Sequence, residues 1–309
     1  MQFQKTIKSR VEFCGVALHS GKNSRLVVSP AEVNTGVVFR RADLEGSPSI
    51  KALWSNVVET ELSTVLGTKA SVKIATVEHL LSAIRGLDID NVLIDVYGEE
   101  LPILDGSSSA YVDGINKVGI TVQDKARKYL QVIKPISARV DDKFVYFLPS
   151  TEFKITCRVN YSHPFIGLQH IEYVDKPFNY SNNICRAKTF GFLEQVEDLQ
   201  KRGFALGGSY DNAIVLGADG VINKQKMTYD DEFVRHKILD IVGDMALCGH
   251  RILAHVVAYK SGHTLHNLAL KELAKSFASF KLVEEALPVD EQSFASEVSS
   301  LLGVVNSEK

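Results

Sequence analysis

No stretch of the sequence approaches the ~18 consecutive uncharged apolar residues that cross a bilayer. The opening MQFQKTIKSRVEF has basic residues but lacks the apolar segment of a secretion signal. Both absences lead to the expectation of a cytoplasmic protein. The four cysteines, Cys14, Cys157, Cys185 and Cys248, lie far apart and form no CxxC pair, which argues against a disulfide framework and a thiolate metal site. Charge of one sign is missing too: 35 Lys and Arg face 37 Asp and Glu, so nothing global draws the chain to nucleic acid. What is there is an ordinary globular composition, 45% hydrophobic and 23% charged, in 309 residues, enough for two domains of usual size. Any bound metal has to be held by histidines and carboxylates.

Alternation marks strands in SRLVVSP, TGVVFRR and NVLIDVYG, with a helical run, TVEHLLSAIRGL, before the last of them. After VQDKARK the order begins again, with YLQVIKPI, KFVYFLPS and KITCRVNYSH as strands, FVRHKILDIVGDMAL as helix and ILAHVVAYKS as strand. The second half thus reads as a repeat of the first. Val77, Glu78, His79 and Ile84 match Val234, Arg235, His236 and Ile241 in spacing, apart from Glu against Arg. Packing the halves about a pseudo-twofold would bring His79 and His236 to one interface, where ligand sites commonly form. Residues 181–230 have no visible counterpart in the first half and read as an insertion: a short amphipathic helix ending near Gly203, a turn, a strand and another turn. Its Phe190, Phe192, Val196, Leu199 and Phe204 either cap the core or line an apolar groove. The tail, 276–309, reads as helix-compatible and without chemistry.

The most informative stretch is EFVRHKILDIVGD, residues 232–244. At about 100° per residue, His236, Asp240 and Asp244 fall within an arc of about 80°, with apolar side chains around most of the rest. A buried imidazole and two carboxylates are costly without compensation, and a metal ion is one of few groups that would neutralise all three. His236 and Asp240, four apart, can reach one ion. A third ligand is then needed, and His79 is the candidate from the repeat. Glu78 beside it is placed to take a proton from an activated water. Salt-bridged polar residues on a helix are the competing reading of the same pattern.

Further on, YKSGHTLHN sets His263 at a strand end, where catalytic side chains are commonly displayed, and Asp244 could hold its imidazole protonated. His266 carries no signal of its own. Thr189, in AKTFGF, could donate to an oxyanion. LDGSSSA lacks the GxSxG elbow of a serine nucleophile and fits an Asp-Gly turn with a serine helix cap.

Taken together, GVALHSGK, TVEHLLSA, LPILDGSSSA, RAKTFGF, GGSYDNAIV, DEFVRHKILDIVGD and YKSGH resemble the UDP-3-O-acyl-N-acetylglucosamine deacetylases, the zinc amidases of lipid A biosynthesis. The resemblance runs from about residue 3 to residue 275. It implies an α+β (or α/β) architecture of two duplicated two-layer sandwiches, 1–126 and 127–275, packed about a pseudo-twofold and each carrying an insertion, with 276–309 as a tail. It implies one Zn2+ per chain on His79, His236 and Asp240, with Glu78 as base. His263 becomes the acid or oxyanion stabiliser, supported by Asp244, and Thr189 an oxyanion donor. Lys237 faces the substrate. Substrate contacts carry over to His19, to Gly208 of the GGSYDN motif, to Tyr161 as a stacking partner for uracil, and to Phe190 and Phe192 as the wall of an acyl passage. Lys188 stands where the family motif has arginine, and Tyr161 where it often has phenylalanine. The implied partner is the UDP-sugar substrate, with no nucleic acid and no transmembrane segment, and with work near a membrane surface by a monomer. A non-catalytic module for nucleotide sugars or acyl chains, and a zinc amidase of another substrate, are the alternatives.

Overall fold

The computed structural model describes residues 1–69 and 71–304. The first half runs β1 (Phe3–Ile7), β2 (Val11–Val16), β3 (Asn23–Pro30), β4 (Val37–Arg41), β5 (Ser49–Lys51), β6 (Val57–Glu59), β7 (Val65–Gly67), β8 (Lys73–Ile74), α1 (Glu78–Gly86), β9 (Val92–Tyr97), α2 (Ser109–Val118) and β10 (Ile120–Ala126). The second runs β11 (Tyr129–Val132), β12 (Ile136–Val140), β13 (Lys143–Leu148), β14 (Phe153–Asn160), β15 (Leu168–Val174), α3 (Pro177–Asn183), β16 (Phe190–Phe192), α4 (Leu193–Lys201), β17 (Ile214–Leu216), α5 (Glu232–Met245), β18 (Arg251–Tyr259) and α6 (His263–Lys275). The tail adds β19 (Phe280–Val283) and α7 (Ala295–Val304). The fold is α+β, with helices packed on mixed sheets.

In the first half the sheet order is β2-β3-β9-β4-β5, with β4 and β9 parallel and the other pairs antiparallel. In the second half β12, β13, β18, β14 and β15 pair in the same succession, and β14 and β18 are the parallel pair. A strand rich in alternating apolar residues sits at the centre of each: Val92, Ile94 and Val96 of β9 are buried, and β18 is buried along nearly its whole length. Such continuous burial fits a strand covered on both faces. Its inner face packs into the main core. Its outer face, with Phe144, Leu148, Val257 and Tyr259, is met by Leu301 of α7.

The residue pattern shows no insertion in the first half, where the resemblance implies one; the antiparallel β6-β7-β8 lies there between β5 and α1, at the position where the second half carries 181–230. Its strands are only two or three residues long, too short to show alternation. The tail is not wholly helical: β19 pairs antiparallel with β11 and extends the second sheet. Its last five residues lie outside the described residues. No helix among the described residues is long and apolar enough to cross a membrane.

Candidate metal centre and active site

The helices α1 and α5 cross where their side chains are small. A Cβ on Gly243 would run into the Glu78 carbonyl, so glycine there permits backbone to touch backbone. Ser82 donates to the Leu239 carbonyl at 2.8 Å and accepts from the Tyr180 hydroxyl at 2.7 Å. This close crossing brings Glu78 and His79, at the start of α1, against the polar stripe of α5.

There the ligand atoms of His79, His236 and Asp240 lie within 4.8 Å of one another, all three residues being buried. His236 Nδ1 faces the Ala187 carbonyl at 3.1 Å, which turns Nε2 toward Asp240 Oδ1 at 3.4 Å. A backbone acceptor behind an imidazole is the usual way a metal-ligating histidine is oriented. Lys237 Nζ donates to Asp240 Oδ2 at 2.8 Å. Asp240 Oδ1 and His79 Nδ1 are buried without any hydrogen-bond partner. Buried polar atoms are rarely left so. Two imidazoles and one carboxylate, buried and convergent, fit a divalent cation of borderline softness. Burial pushes His236 down to about 3, against the Asp240 charge, so its ring is neutral and free to ligate.

Beside this set, Glu78 Oε2 accepts the Thr64 amide at 3.0 Å, and burial raises its carboxyl to about 7. His263 Nδ1 meets Asp244 Oδ2 at 2.8 Å, and its Nε2 faces Glu78 Oε1 at 3.9 Å. Burial works against a charge on His263, but Asp244 and Glu78 outweigh it and lift the imidazole to about 10. The site thus pairs a carboxyl whose charge is disfavoured with an imidazole whose charge is favoured, the asymmetry that separates a base from an acid.

These residues line a cavity of ≈ 460 Å³, together with His19, Thr189, Phe190 and Lys237. Lys237 Nζ sits 5.5 Å from the Phe190 ring centroid, and although burial opposes its charge most, Asp240, Tyr161 and Cys157 together outweigh it, so its pKa is raised. His19 is held by its amide on Glu100 at 2.8 Å, leaving its Nε2 buried and unpartnered. Three other expected contacts are not among the residues that line this cavity. Tyr161 and Phe192, partly buried and with rings 6.1 Å apart, pack in an apolar cluster with Phe190, which does line it. Gly208 belongs to a loop that pairs with the chain around His19: Leu206 and Gly207 donate to the His19 and Leu18 carbonyls at 3.0 Å each. That loop holds the cavity wall and does not form it. Ser108 stands at the N-cap of α2 without a side-chain capping bond; its hydroxyl donates to the His79 carbonyl at 2.8 Å, and Ser107 and Asp105 make the turn. The short α4 buries no side chain, so Val196 and Leu199 neither cap the core nor line this cavity.

Sequence reasoning missed Lys143 and Lys260, which bring two cations to the lining. It also passed over His266, whose Nδ1 meets the same Asp244 oxygen at 2.6 Å.

The description of the family whose model matches residues 4–275 reads LpxC, UDP-3-O-acyl N-acetylglycosamine deacetylase. Curated proteins named UDP-3-O-acyl-N-acetylglucosamine deacetylase are similar along most of their length. That of Citrifermentans bemidjiense is 44% identical over 284 residues, 92% of this chain and 93% of its own. That of Geobacter sp. (strain M21) is 44% identical with the same coverage, and that of Syntrophotalea carbinolica 42% identical over 92% of each. On the match across nearly its whole length, the chain belongs to the UDP-3-O-acyl N-acetylglycosamine deacetylase family.

Proposed function

We propose that the protein hydrolyses the N-acetyl group of UDP-3-O-acyl-N-acetylglucosamine, releasing acetate, as a step of lipid A biosynthesis, with one zinc ion on His79, His236 and Asp240. The observation that carries this reading is the convergence of one ligand atom each from His79, His236 and Asp240 within 4.8 Å, with Asp240 Oδ1 unpartnered, in one cavity with Glu78 and His263. A zinc ion held there supplies Lewis acidity toward water and the amide carbonyl. Glu78, fixed by the Thr64 amide, takes a proton from the attacking water. His263 starts as the imidazolium and gives its Nε2 proton to the amine nitrogen as the C–N bond breaks. Acetate and the free amine leave. Before that, the Thr189 hydroxyl and the His263 N–H donate to the carbonyl oxygen as it gains charge.

Lys237, kept charged by Asp240, balances the negative charge on the substrate side of the site. Lys143 and Lys260 line the same cavity and suit a diphosphate, while Phe190 offers an apolar wall to an acyl chain. In this reading 1–126 supplies Glu78, His79 and His19 and 127–275 supplies His236, Asp240 and His263, as duplicated sandwiches about a pseudo-twofold. The protein works as a cytoplasmic monomer close to the membrane surface that carries acylated sugars.

Metal analysis joined to acetate release tests the reading. One zinc per chain and turnover dependent on both the nucleotide and the acyl chain are expected, with Asp240→Ala losing metal and turnover together. Full turnover of metal-free protein would sink it.

A further inference from the structure

The first turn of α6 presents two imidazoles to one carboxylate oxygen. His263 and His266 are three residues apart and share a helix face. Asp244 Oδ2 meets the Nδ1 atoms of both, at 2.8 and 2.6 Å, while its Oδ1 accepts from the Thr64 hydroxyl at 2.7 Å. For one carboxylate oxygen to attract both rings, each has to carry its proton on Nδ1. That fixes the other nitrogens: His263 Nε2 faces Glu78, and His266 Nε2 ends on the Ser261 hydroxyl at 2.9 Å. His266 is fully buried, lines no part of the cavity and takes no part in the proposed reaction.

We propose that His266 is a positioning residue for His263: by sharing Asp244 Oδ2 it anchors that oxygen beneath the His263 ring and draws off part of the charge that Asp244 would otherwise give to His263 alone. Ser261, donating to His266 Nε2, anchors the shared arrangement from its outer side. The need for such control lies in the place His263 occupies. It opens α6, where the partial positive charge of a helix N-terminus opposes an imidazolium. The charged and titratable groups facing it are Glu78 and His79 of α1, Asp240 and Asp244 of α5 and His19, with Lys143 and Lys260 in the same lining. Asp244 is the one it touches. A carboxylate that accepts three donors is a weaker base than one that accepts two. With His266 gone, Asp244 holds the His263 proton more tightly, and the ring loses the brace that keeps the shared oxygen in place.

Only the kinetic arm of the test rests on the deacetylase reading. The other arm follows the His263 titration by NMR in histidine-labelled, metal-loaded protein. In His266→Phe the His263 midpoint should rise by about half a pH unit or more, with the alkaline limb of kcat/KM moving alongside. His266→Asn keeps an N–H for Asp244 and should return both toward wild type. Ser261→Ala removes the outer anchor with little change in volume and should move the midpoint the same way by less, which covers a His266→Phe protein that does not fold. A folded His266→Phe or Ser261→Ala protein with the wild-type His263 midpoint would overturn the proposal. If the midpoint moves while wild-type protein releases no acetate, the deacetylase reading falls and the role of His266 stands.

Discussion

Two groups of buried charge lie against α1, one at each end, and they solve the same problem differently. At its C-terminal end Arg127 meets Asp88 at 2.8 Å and Asp90 at 2.6 Å, Arg251 meets the same two at 3.2 and 3.3 Å, and Arg85 meets Asp175 at 3.1 Å. Arg251 also donates to the carbonyls of Arg85 and Ile89, closing the helix end. Each ion there has an opposite ion, and Arg127 Nε is the atom left over. At the N-terminal end, more deeply buried polar atoms are left open at His79 Nδ1 and Asp240 Oδ1. Desolvation is costly in both places. At the C-terminal end the chain pairs its own ions, whereas at the N-terminal end the open atoms lie where the proposed metal ion would sit.

Substitutions at the two ends should separate function from stability. Glu78→Gln should lower kcat by about a thousandfold, the scale of a lost general base, while the melting temperature holds or rises because a buried charge is gone. A large fall in melting temperature would assign Glu78 to the scaffold instead. Arg251→Met should do the reverse. Leaving Asp88 and Asp90 short of a partner costs about 3 kcal/mol of stability, readable by denaturant unfolding, with turnover per folded molecule unchanged. Thr189→Ala should reduce kcat by about a hundredfold with folding intact, and full activity would remove it from the reaction.

The smallest effect should appear where charges are only half buried. Glu291 in the tail accepts from Ser150 and Thr151 and pairs with Lys154. Burial pulls its pKa up, but these donors hold it down at about 2, below its ordinary 4.5. Its stabilising share is therefore complete above about pH 4.5 and is lost as the pH falls toward 2. Limited proteolysis of the tail should quicken between pH 5 and 3 in the wild type, on the scale set by those two values, and Glu291→Gln should flatten that response.

Much of this was legible because it follows from period. The alternation of β3, β4 and β9 reflects burial on one face, the polar stripe on α5 lies within a helix buried nearly all round, and the structure has these elements where the pattern puts them. Other parts carry no period. The strands β6 to β8 are too short, and β19, with Lys281 and Leu282 exposed, owes its conformation to pairing with β11. That Tyr161, Phe190 and Phe192 gather in one cluster is set by packing between β14, β16 and β17, which no local pattern shows. His266 looked like a spare histidine because its partners, Asp244 and Ser261, are joined to it only by the turn into α6.

The contact at Gly243 has a further consequence. The base on one half and the carboxylates on the other are separated by main chain resting on main chain, with no rotamer in between to absorb error. The crossing works as a gauge block: side chains around it can drift in size without altering the spacing of the reacting groups. A single methyl at position 243 would be transmitted undiminished to every distance in the cavity.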